Sequence, residues 1–74
     1  MSDEEYGAAA AVIAHQLMGS LSAVTGAARL LEEAWDALDP DARRQLLAVI
    51  QERTEAAIGS LHDLVQGVPS LENA

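Results

Sequence analysis

Apolar residues fall at Ala14, Leu17, Leu21, Val24, Ala28, Leu31, Trp35 and Leu38, alternately three and four apart. This heptad stripe is the period of one helix face lying along another helix. The two-residue alternation of a strand is absent. Ala, Leu, Glu and Arg dominate, and all favour helix. The stripe predicts a first helix over about residues 3–37, on the order of 50 Å long at ~1.5 Å per residue.

The segment "LDPDARRQ" interrupts the pattern. Asp39 suits an N-cap, Pro40 suits the first helical position, and Asp41 places negative charge in a first turn. A second stripe follows at Leu47, Ile50, Thr54, Ala57, Leu61, Leu64 and Val68. Gly67 reads as a C-cap and Pro69 as a stop. These signals predict a turn at 38–40, a second helix over about 40–66 and a frayed tail at 67–74. So short a turn makes the helices antiparallel.

Ile13, Leu30, Leu46, Val49, Ile58 and Val65 flank the two stripes and widen the apolar faces. Two helices cannot cover faces this wide. The expected fold is all-α: one domain over residues 1–74, an antiparallel helical hairpin that forms a homodimeric four-helix bundle. The first helix is the longer, so residues 3–11 should overhang the bundle as a stalk, with His15 near that end, opposite Leu64.

Composition points the same way. The chain has 74 residues; half are hydrophobic, with one Trp, one Tyr and no Phe. Alanine buries little area, and chains this short seldom build an adequate core alone. There is no Cys to staple the fold or to bind metal as thiolate. The net charge is −8, and the four cationic residues are scattered arginines. That argues against nucleic acid and against direct contact with an anionic membrane. Uninterrupted apolar runs are too short for a predicted membrane span, and "MSDEEY" lacks the basic start of a signal peptide. The expected location is cytoplasmic, either free or as the cytoplasmic part of a membrane-bound sensor.

Within "AVIAHQLMGSLSAV" stands a single imidazole, His15. With Ala14 and Leu17 as core positions, His15 takes the next heptad position and faces water or the bundle edge. Met18 and Gly19 stand one turn on. Gly19 leaves open space beside the ring, at a cost of roughly 1 kcal/mol against alanine. Gly26 is a second glycine inside the helix, which a close helix contact would explain. His62 reads as a helix-surface residue. Two histidines without thiols or matched acids make a poor metal site. No Ser-His-acid arrangement or phosphate-binding glycine loop is legible. "DEE" and "LEEAWD" read as solvated faces.

The run "HQLMGSLSAVTGAARLL" resembles the dimerisation and histidine-phosphotransfer domain of bacterial sensor histidine kinases. It keeps His15, Leu17, Leu21, Ser22 in place of Thr, Ala23, Val24 in place of Ile, Gly26, and the Leu30–Leu31 pair. Leu61 and Asp63–Leu64 nearly reproduce the end of the family's second helix, so the similarity spans about residues 8–67. It departs from the family at Gln16 (usually an acid), Met18 (usually basic), Gly19 (Thr or Asn) and Ser20 (proline). "HQLMGS" is also similar to the His-x-Leu-Lys-Gly-Ser run of histidine phosphotransfer domains.

The resemblance implies that His15 is a phosphoacceptor, attacking through Nε2, and that Gln16 orients the imidazole through its amide oxygen. It implies partner docking at Met18, Gly19 and Ser22. This segment would bind no cofactor or metal; ATP and Mg would belong to a partner ATP-binding kinase domain. The onward acceptor would be an aspartate on a response-regulator receiver domain. Residues 7–14 would receive the signal from upstream. Two other readings remain open at this point: a dimerisation or scaffold module without phosphochemistry, and a stand-alone histidine phosphotransferase.

Overall fold

The structure, a computed structural model, describes residues 3–66 apart from the side chain of Tyr6. Helix α1 is Asp3–Ala34, a 3-10 turn follows at Trp35–Ala37, and helix α2 is Pro40–Val65. There is no strand among the described residues. The all-helical hairpin agrees with the periodicity, and its bounds lie close to the expected ones. The cap at Gly67, the stop at Pro69, the core position at Val68 and the frayed tail lie outside the described residues.

The turn is built by its own sequence. The Leu38 N–H donates to the carbonyls of Ala34 and Trp35, at 3.0 and 3.3 Å, tightening the end of the first helix into 3-10 geometry. Asp39 is extended, and its Oδ1 accepts from the Ala42 N–H at 2.7 Å. Pro40 occupies the first turn of α2, where a missing N–H costs nothing. Arg43 then locks the two ends together. Its Nε and Nη2 both donate to the Trp35 carbonyl, at 2.9 and 2.6 Å, and its guanidinium lies 4.2 Å from the centroid of the Trp35 ring. The Trp35 carbonyl, which its own turn meets only through the long 3.3 Å bond from the Leu38 N–H, thereby gains two stronger donors. Asp39→Ala should lower stability by about 1 kcal/mol, read as an earlier urea midpoint. An unmoved midpoint would mean that Pro40 and Arg43 hold the turn without the cap.

The seam between α1 and α2 departs from the expected stripes. Leu17, Val24, Leu31 and Leu38 face it as expected, and so do Ile50, Ala57 and Leu64. Of the alternate positions among the described residues only Ala14 is half-buried, and the others are exposed. Leu21 is 49% exposed, Trp35 46%, Leu47 51% and Leu61 49%, and Ala28 and Thr54 are exposed as well. Ser20, Ala27 and Ala34 take those places on α1, and Leu46 and Ser60 on α2. Of the flanking residues, Ile13 and Leu46 are half-buried, whereas Leu30, Val49, Ile58 and Val65 are exposed. Each apolar arc therefore points between the neighbouring helix and open solvent, and the seam covers only one edge of it. The centre of the seam is made of small residues: Ser20 is 8% exposed, Ala27 6% and Ala57 4%.

The hairpin is a rod. It measures 53 × 17 × 13 Å with a radius of gyration of 16.3 Å, against ~11 Å for a compact domain of this length. Within the expected overhang of residues 3–11, Ala9 and Ala10 are half-buried and the other residues with described side chains are exposed.

The absence of a membrane span was expected from short apolar runs. The segment Asp3–Ala37 is nonetheless long and apolar enough to cross a membrane by length and composition, with a mean hydropathy of 1.3 over 18 residues. The reason is that residues 7–28 contain no Asp, Glu, Lys or Arg. Uncharged His15, Gln16, Ser and Thr break the apolar runs without lowering the mean far enough.

Candidate functional site

His15 sits in the N-terminal half of α1 and is exposed. The heptad places it about half a turn around the helix from the seam, so it looks outward, as its register predicted. Leu64, expected at the same level, is half-buried on α2. Ser22 and Arg29 follow His15 at seven-residue steps, on the same outer line and also exposed.

Gln16 is exposed beside it, and among the described residues no hydrogen bond links the amide to the imidazole ring. One turn on, a Cβ added at Gly19 would meet no heavy atom within 4 Å. The imidazole therefore has free approach from its C-terminal side. Gly26 is equally open, which corrects the expectation of a close helix contact there: none forms within the hairpin. Gly19→Ala should stabilise the fold by about 0.5–1 kcal/mol, because it trims the freedom of the unfolded chain and meets no clash. Thermal unfolding should then shift upward by several degrees; a downward shift would mean that something packs against this glycine in solution.

The outer face of α1 carries one depression of ≈ 460 Å³, lined by Met18, Leu21, Ser22, Thr25, Gly26 and Arg29. These six positions are two successive four-residue holes on a helix surface, 18-21-22-25 and 22-25-26-29, sharing the Ser22–Thr25 edge. Small side chains make the floor. Met18 and Ser22, expected to dock a partner, line it; Gly19 does not. Leu21, Thr25, Gly26 and Arg29 were missed. The i, i+3, i+4, i+7 spacing with a glycine at one corner was the available signal.

His62 is exposed in the last turn of α2, where a positive charge suits the carbonyl end of the helix. Among the described residues no three His, Asp or Glu side chains come together as metal ligands. Comparison with family models, with curated proteins and with solved structures found no match to this chain.

Proposed function

We propose that the chain is the dimerisation and histidine-phosphotransfer domain of a two-component signalling protein. A second copy covers the exposed leucines and Trp35, completing a four-helix bundle. His15 lies outside that bundle and accepts a phosphoryl group. The observation that carries this reading is the placement of His15 on the outer line of α1, exposed, one turn before the open space at Gly19.

The chemistry asks mainly for position. Nε2 of neutral His15 attacks the γ-phosphorus of ATP held by a kinase domain with its Mg. The N–P bond forms as the bond to ADP breaks, and the ring proton stays on Nδ1. The loose transition state needs an in-line approach and charge stabilisation more than covalent help. A receiver aspartate then takes the phosphoryl group: an O–P bond forms as the N–P bond breaks. Met18, Gly19 and Ser22 offer that receiver a low surface beside the histidine. The location that follows is the cytoplasm, or the cytoplasmic side of a membrane-bound sensor.

One observation favours a second reading, a dimerisation module without phosphochemistry. No hydrogen bond to the His15 ring is found among the described residues, so none of them holds it in one tautomer. One experiment separates the two readings. With a kinase domain and labelled ATP, the phosphotransfer reading expects acid-labile, base-stable label that His15→Ala abolishes. Gln16→Glu should then raise the labelling rate about tenfold, equivalent to ~1.4 kcal/mol of transition-state stabilisation. No label with any kinase domain tried favours the scaffold, and label that survives His15→Ala would move the phosphoacceptor off His15.

A further inference from the structure

We infer that an ion pair between Glu32 of one protomer and the partner's Arg44 fixes how two copies associate, laying α1 of each along α2 of the other. The inference rests on the dimer proposed above and specifies its geometry.

The open side of the hairpin is well defined. On both helices the larger share of the uncovered apolar residues, Leu21 and Trp35 on α1 and Leu47 and Leu61 on α2, is displaced from the seam in the same rotational sense, with Leu30 and Val49 on the other flank. The helices are antiparallel, so both displacements point to one side. That face carries Leu21, Ala28 and Trp35 from α1 and Leu47, Thr54 and Leu61 from α2. Half-exposed side chains of this size, with Met18 and Ile58 at the margin, amount to on the order of 600 Å² per copy, close to the ~800 Å² per partner of a standard interface.

The register of the hairpin is also defined. Arg43 reaches across the turn to Trp35, and Ser20 and Ala57 are the most buried residues of α1's polar set and of α2. Residues equally far from the turn therefore share a level. A two-fold axis along the helices sets α1 against the partner's α2 without changing those levels. Ala14 then faces Leu61, Leu21 faces Thr54, and Ala28 faces Leu47, each pair offset from those levels by about two residues, ~3 Å: small against large at every step. On the rim, Met18 meets Ile58, Thr25 meets Gln51, and Glu32 meets Arg44. Apolar faces apolar, polar faces polar, and acid faces base. A two-fold axis across the helices instead lays α1 on α1; it can still set Leu21 against Ala28 and Ala14 against Trp35, but it brings Glu32 against no base, so the charges separate the two arrangements.

Both charges are available. Glu32 is exposed and has no ion pair among the described residues. Arg44 lies 3.6 Å from Asp41, with the two side chains 78% and 85% exposed, a loose pair that contributes little. Rim charges of this kind set partner choice and orientation in packed helices.

The test is a charge exchange between chains. Glu32→Arg and Arg44→Glu should each weaken the homodimer about tenfold or more, because either change makes two like-charge contacts per dimer. Mixing the two variants should restore wild-type affinity as a heterodimer, seen by native mass spectrometry of size-tagged chains. The double variant should also pair normally, with wild-type helicity, which shows that both substitutions are compatible with the fold. Recovery in the double variant but not in the mixture would place the pair within one chain and overturn the inference. So would a wild-type dimer indifferent to both single changes. A wild-type chain that is monomeric at every concentration would instead remove the dimer reading itself.

Discussion

Replacing Leu21 and Leu61 together by glutamate is expected to yield a monomeric chain with most of its helicity lost. In the hairpin alone both residues are half-exposed, 49% each. If the hairpin were self-sufficient, such surface changes would be worth only about ±0.5 kcal/mol apiece. In the proposed bundle they stand on the buried face, where each carboxylate loses water without gaining a partner, at several kcal/mol per ion. The loss would exceed the whole stability of a domain this small, since a folded chain of this length retains only ~5 kcal/mol. Helicity by circular dichroism, with mass by light scattering, reads the outcome. Leu21→Gln with Leu61→Gln separates charge from apolarity and should be intermediate. Full helicity and unchanged mass in the glutamate pair would show that this face is not an interface.

The second large effect is expected at Ala57, the least exposed residue described, at 4%. It lies at the level of Ser20 in the narrow centre of the seam. A leucine there must push the helices apart or leave its rotamer well, costing about 1–3 kcal/mol. The neighbouring Ala56 is exposed. Ala56→Leu should therefore be nearly neutral. Urea unfolding of the two variants side by side gives the comparison. Equal tolerance at 56 and 57 would contradict the close small-residue seam on which the rest of the packing depends.

The turn and the helix bounds were legible because local chemistry decides them. Asp39, Pro40 and Ala42 form their cap whatever the tertiary context, and Leu38 closes the preceding turn by backbone bonds alone. The seam was half legible. Leu17, Val24, Leu31 and Ala57 lie where two adjacent stripes coincide, so either reading places them correctly. Leu21 against Ser20, and Trp35 against Ala34, is a choice between neighbours one position apart. Periodicity selects the larger residue, but the direction to α2 selects the smaller. That discrepancy is what the proposed bundle accounts for: a second copy would cover the large residues that the hairpin leaves beside Ser20 and Ala34. The exposure of His15 followed from register. The depression around Gly26 did not, because it depends on four corner residues and not on a stripe.

The account stands most directly on whether two hairpins cover each other. The mass of the purified chain by light scattering, followed from high to low micromolar concentration, settles it. A folded species at twice the 7.8 kDa chain mass, losing helicity as it dissociates, is the predicted result. A fully helical species at the single-chain mass throughout would contradict it.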